Sequence, residues 1–140
     1  MRALAARLAP GLPPENFRVE PLEAMSFPER SASVVISSAV LHFARDDAQF
    51  EAMLDGSWRV LASGGMFFCR LASTIGIEAE VQRIGDGRRF RLPDGTARYL
   101  VDEPLLMAHT RRLGGRLLDP LKTTVVQGQR SMTTWVVRKD

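Results

Sequence analysis

A single cysteine, Cys69, excludes an internal disulfide, and with it a disulfide-stapled secreted scaffold or a thiolate metal cluster. Lysine is nearly missing too. Only Lys122 and Lys139 supplement the arginines among 19 basic residues, and 16 acidic residues bring the net charge to +3, too small to imply nucleic acid by itself. No stretch approaches the ~20 apolar residues of a membrane span. The opening MRALAARLAP interleaves Arg2 and Arg7 with alanine and leucine, which suits an amphipathic helix better than the continuous apolar centre of a signal peptide. Repeats and low-complexity segments are absent. What remains is one domain of ordinary size, 140 residues and 45% hydrophobic, for which the cytoplasm is the default location.

The most informative stretch runs from Ser33 to Ser73. Val34, Val35 and Ile36 form a β-branched run of the kind a strand buried on both faces needs. Asp46 stands at an N-cap position, and Gln49, three residues on, is placed to reach back to the cap amide. Phe50, Met53, Leu54, Trp58 and Leu61 then share one stripe of a helix, with Glu51, Asp55 and Arg59 facing away. Gly64 and Gly65 are expected to stop that helix before Met66-Phe67-Phe68-Cys69 resumes an apolar strand. Two strands joined by such a helix make a parallel βαβ unit with a right-handed crossover.

The flanks are legible in outline. A first helix over Met1 to Ala9 is broken by Pro10, and Phe17 to Leu22 reads as a short strand. Residues 74–99 read as an insertion, with RRFRL and TARYLV flanking the turn Pro93-Asp94-Gly95 in a small hairpin. Asp102 caps another helix, carrying Leu105, Leu106, His109 and Leu113 on one side and ended by Gly114-Gly115. Two final strands close the chain.

Chemistry-bearing residues are few. Ser37, Ser38 and Ala39 lie at the carboxyl end of the central strand, where open α/β sheets place ligands. His42 follows; its imidazole can act as a base or orient a substrate, and equally can serve as a packing residue at a helix entry. His109 reads as a core or boundary residue, and Cys69 as a small hydrophobe in a buried strand. Arg88, Arg89, Arg91 and Arg98 concentrate charge on the hairpin, fit either for an anionic group or for a solvated face. Arg130, after the last turn, has the same two readings. No metal-ligating cluster is present.

The segment VVISSAVLHFARDDAQFEAMLDGSWRVLASGGMFFCRLAS resembles the middle of a class I S-adenosylmethionine-dependent methyltransferase: a strand ending in small polar residues, Leu-His, a helix ending in Arg-Val-Leu, Gly-Gly and the next strand. PENFRVEPLEAMSFPERSASVVIS is similar to the family's preceding strand and adenine-contacting loop, and LLDPLKTTVVQ with SMTTWVVRK to its closing antiparallel hairpin. The resemblance implies a Rossmann-like α/β fold with a mostly parallel sheet, S-adenosylmethionine as cofactor and a small-molecule methyl acceptor. It implies cofactor contacts at Pro21, Leu22, Glu23, Ser37, Ser38 and Ala39, a catalytic role for His42, no metal, and a lid formed by residues 74–99. Pro21 stands where the family commonly has an acidic residue, and Ser33 where an aspartate usually precedes Val-Val. The family's glycine-rich G-x-G-x-G turn and ribose-holding carboxylate have no counterpart; the only G-x-G, Gly85-Asp86-Gly87, reads as a surface turn. The chain is therefore expected to be an N-terminally truncated methyltransferase domain that binds the cofactor weakly and pairs as a dimer through the bared edge of its central strand. A non-catalytic methyltransferase-like module acting through self-association or protein binding is the alternative, and an arginine-dependent nucleic-acid binder a distant third.

Overall fold

The computed structural model describes residues 2–140. The first helix, α1, covers Arg2–Leu8; Met1, which the sequence reading included in it, lies outside the described residues. The central unit is strand β1 (Ala32–Ser38), helix α2 (Asp47–Val60) and strand β2 (Leu61–Ala72), with β1 and β2 parallel as expected. Strands β3 (Gln82–Ile84), β4 (Arg89–Arg91) and β5 (Ala97–Tyr99) form a separate antiparallel sheet. Helix α3 spans Glu103–Arg112, and β6 (Gly115–Leu117), β7 (Lys122–Val126) and β8 (Arg130–Lys139) complete the main sheet. Its order is β1-β2-β8-β6, with β7 also on β8. Because β8 is antiparallel to β2, β6 and β7 alike, it alone opposes the common direction of the other strands. Asp119 and Pro120 separate β6 from β7, since proline has no amide to give to the ladder.

Four local expectations are corrected. Phe17 to Leu22 is not a strand: its backbone has no ladder partner, and a strand without a neighbour leaves its amides unpaired. Side chains order this segment instead, Arg18 donating to the Glu15 carbonyl and the Ser26 hydroxyl and lying 3.9 Å over the Phe27 ring. Gln49 accepts from the Arg45 amide at 3.0 Å rather than from the cap residue, while Asp46 accepts from the Gln49 amide at 2.7 Å as a cap should.

The glycine pair does not end α2. The helix stops at Val60, where the Lys139 ammonium donates to the carbonyls of Trp58 and Leu61 at 2.7 and 2.9 Å, a cation on the negative end of the helix. Leu61 already belongs to β2, and the glycines sit in a bulge where the register passes from Ala32↔Leu61 to Val34↔Met66. Gly64 takes φ +75° there. Finally, β1 is buried on one face only: Val34 is 48% and Ile36 71% exposed, because β1 is the edge of the sheet.

The core lies between α2, α3 and the main sheet. Phe67 sits between Trp58 and Trp135, meeting both edge-on at centroid distances of 6.5 and 5.8 Å. Trp135 is fully buried and gives its indole N–H to Thr110 Oγ1 at 3.0 Å, which in turn donates to the Leu106 carbonyl. A smaller apolar cluster of Ile77, Phe90, Leu92 and Leu100 lies under the β3–β5 sheet. Replacing Trp58 with alanine is expected to cost about 3 kcal/mol by urea denaturation; an unfolding midpoint equal to the parent's would show that the indole is peripheral.

Candidate active site

The carboxyl end of β1 is where the chain turns sharply. Ala39 adopts φ +58°, a left-handed conformation unfavourable for a residue with a Cβ, and its amide donates to the Arg70 carbonyl at 2.8 Å as the last rung between β1 and β2. A short 3-10 turn over Leu41–Phe43 follows and buries His42. Beyond that rung the Ala72 amide has no β1 acceptor. It donates instead to Nδ1 of His42 at 3.1 Å. A ring nitrogen that accepts carries no proton, so neutral His42 holds its proton on Nε2 and offers a donor rather than a base.

Two cavities flank this turn. One, of about 370 Å³, is lined by Leu22, Val35, Ser37, Val40 and Ser57 among others. The other, of about 430 Å³, is lined by Ala39, His42 and Phe43 together with Arg70, Arg98 and Arg130. The sequence-derived candidates thus divide. Leu22 and Ser37 share the first cavity and Ala39 and His42 share the second, while Pro21, Glu23 and Ser38 are exposed and line neither.

Within the first cavity, the Leu22–Ala24 turn is pressed onto α2. The position of a Cβ on Gly56 would collide with the Leu22 carbonyl, so the bare glycine in mid-helix is what lets this loop lie against the helix. Glu23 accepts from the Gln49 side chain at 3.1 Å, and that bond holds its carboxyl below the usual range. Ser37 is buried, and its hydroxyl has no hydrogen bond of ordinary geometry; its cross-strand neighbour is the Cys69 thiol, a weak partner. Burial pushes Cys69 up to about 12, so it is an inert thiol.

The second cavity takes one wall from the 74–99 segment, through Leu92, Asp94, Thr96 and Arg98. That segment is anchored where it leaves and rejoins the body. Ser73, Ser131 and Thr133 form a buried hydroxyl chain with contacts of 2.7 to 2.9 Å, and Arg88 pairs with Asp102 at 2.6 Å. Arg88, Arg89 and Arg91 line neither cavity; Arg89 and Arg91 alternate with the buried Phe90 and Leu92. Gly85-Asp86-Gly87 lies in the β3–β4 turn, as expected. Arg70 was missed from sequence. Its signal was the charge that ends the apolar run Met66–Cys69 at the carboxyl end of β2. Among the described residues no group of three or more His, Cys, Asp and Glu could hold a metal, and no helix is long and apolar enough to cross a membrane.

Residues 1–69 match the family model described as a methyltransferase domain. Over those residues, just under half of its length, the chain belongs to the class I methyltransferase family. Its fold is that of solved relatives at low identity. A Pyrococcus horikoshii protein superposes over 99% of this chain with TM-score 0.71 and 12% identity, and a Methanosarcina mazei S-adenosylmethionine-dependent methyltransferase over 88% with TM-score 0.70 and 16%. The Burkholderia thailandensis 1,6-didemethyltoxoflavin-N1-methyltransferase, solved with 1,6-didemethyltoxoflavin and S-adenosylhomocysteine, superposes over 99% with TM-score 0.67 and 17% identity. The chain spans 65%, 66% and 56% of these three proteins, under two thirds of each. No curated protein matches it in sequence. The cofactor of this methyltransferase family is S-adenosylmethionine.

Burial, and then the guanidiniums of Arg98 and Arg70, pull His42 from 6.5 down to about 4. The unfolded chain takes up this proton near pH 6.5 and the folded one only near pH 4. The stability that neutral His42 contributes is therefore complete above pH 6.5 and lost as pH falls toward 4. His109, also buried, shifts the same way, whereas Asp94, held down to about 2 chiefly by Thr96, acts at lower pH. Unfolding free energy should fall by about 1–3 kcal/mol between pH 7 and pH 4.5. The fall should be shallower in His42→Gln, whose amide oxygen still accepts from Ala72; identical slopes would show that His42 does not titrate as argued.

Proposed function

We propose that the chain takes part in S-adenosylmethionine-dependent methylation of a small molecule, with the donor bound in the Leu22–Ser37 cavity and the acceptor in the His42 cavity. The observation carrying this reading is the pair of cavities on the turn that follows β1, one lined by Val40 and the other by Ala39, in a chain that matches a methyltransferase domain. The residues present fit the cofactor in kind: Leu22 offers an apolar wall beside a backbone turn, and the Ser37 hydroxyl is buried and in want of a partner. Pro21 and Glu23 flank Leu22 in the chain and Ser38 follows Ser37, but none of the three lines either cavity.

When bound, the cofactor supplies a methyl group on a sulfonium, a leaving group that needs neither acid nor metal to depart. The chain's own work is then approach geometry and exclusion of water. His42 orients the acceptor through its Nε2 proton and does not take a proton from it. Phe43 and Leu92 give the acceptor an apolar bed, and the 74–99 segment acts as a lid that selects it. A buried thiol with no disulfide partner accords with a cytoplasmic setting.

The sequence offers no glycine-rich turn and no carboxylate for the ribose hydroxyls. Several contacts at about 1 kcal/mol or more each are thereby lost, and the expected affinity is millimolar. Titration with S-adenosylhomocysteine, followed by amide chemical shifts, should move Leu22, Glu23, Ser37 and Ser38. Shifts elsewhere, with these unmoved, would overturn the reading, and a micromolar dissociation constant by calorimetry would contradict the weak binding.

One observation favours a second reading, a module that acts through self-association: Val34 and Ile36 stand exposed on an edge strand, and among the described residues no other strand pairs with that edge. Light scattering over a range of concentrations should then show a mass rising toward twice 15.6 kDa. A constant 15.6 kDa would reject the dimer.

A further inference from the structure

Three guanidiniums, Arg70, Arg98 and Arg130, line the His42 cavity, against one carboxylate, Asp94. Asp94 accepts from Arg130 at 2.9 Å, so those two charges cancel. Arg98 spends one nitrogen on the Ala97 carbonyl at 2.7 Å and lies 4.8 Å from the centroid of the Phe43 ring, which leaves further N–H donors of its fork unused. Among the described residues neither Arg98 nor Arg70 forms an ion pair. Both lie close enough to His42 to disfavour its protonation, so they share one small region, and the neutral ring adds no charge to it. The cavity therefore holds two uncompensated cations beside an apolar surface made by Phe43, Leu92 and Met132.

We propose that Arg70 and Arg98 hold the carboxylate of a small organic acid whose apolar body rests on Phe43, Leu92 and Met132. This rests on the reading of the cavity as the acceptor side and names the substrate class. Guanidinium forks match a carboxylate in geometry, and charge-assisted bonds in a half-enclosed cleft are stronger than in water. A cleft of about 430 Å³ suits a small molecule rather than a polymer. A series of aromatic platforms, which a nucleic-acid strand would use, is not part of it. The two arginines then hold the acceptor's carboxylate beside His42, so the pair that helps burial keep the imidazole neutral also orients the substrate.

The test is an NMR titration of the whole chain, without methyl donor, using benzoate, its neutral counterpart benzamide, and inorganic phosphate. Benzoate should shift the amides of Arg70, Ala72, Arg98 and Met132 and bind at least roughly tenfold more tightly than benzamide, a preference that falls in Arg70→Gln and Arg98→Gln. Arg70 is exposed, so Arg70→Gln should keep the parent's fold, and the wild-type comparison decides even if Arg98→Gln does not fold. Equal binding of benzoate and benzamide, or a preference intact in the folded variants, would overturn the proposal. Phosphate binding the same amides more tightly than benzoate would also overturn it, assigning the cations to a phosphate group. Because no methyl donor is involved, failure of S-adenosylhomocysteine to shift Leu22 and Ser37 would count against the methyl-transfer reading alone.

Discussion

The amide of Ala72 is the point on which the site turns. Strand β1 gives out one rung too early to pair it, since Ala39 leaves the sheet in a left-handed turn after its amide has met the Arg70 carbonyl. A buried amide without an acceptor costs more than an ordinary hydrogen bond gains. His42 supplies the acceptor. One bond therefore fixes where the Leu41–Phe43 turn packs and which tautomer the imidazole takes.

The electrostatics follow from that placement. Arg70 leaves β2 at the rung that ends β1, and Arg98 arrives on β5 from the 74–99 segment, which Ser73, Ser131, Thr133 and the Arg88–Asp102 pair hold in register with the main sheet. Burial first, and then the two cations beside it, keep the ring neutral, so His42 stays a donor well below neutral pH. The cavity lined by Leu22 and Ser37 is different in character. Of the serines that line it, Ser37 has an unsatisfied hydroxyl, and its loop is held by the bare backbone of Gly56.

Sequence reading recovered most of what short-range patterns govern, the Gln49 side chain excepted. The stripe of α2, the caps at Asp46 and Asp102 and the turn at Pro93-Asp94-Gly95 depend on residues a few positions apart, and the parallel pair β1–β2 follows from two apolar runs joined by one helix. It failed where the decisive partner was remote. The Phe17–Leu22 segment has strand composition but no neighbour to pair with, and the end of α2 was set by Lys139 rather than by Gly64-Gly65. The apolar run Val34–Ile36 looked like a strand buried twice over because composition cannot tell a central strand from an edge. Ser37, Ala39 and His42 were named from their place at the end of the strand, and each lines one of the two cavities. Arg70 and the neutral state of His42 were not, because both depend on which strands and loops converge in space.

The most direct test of this account is the tautomer of His42. In a sample labelled with 15N at its histidines, the His42 ring nitrogens should show Nδ1 unprotonated and Nε2 protonated at pH 7, with no conversion to imidazolium until the pH approaches 4. A proton on Nδ1, or titration near the ordinary 6.5, would mean that Ala72 does not hold the ring and that the cleft is not organised as described.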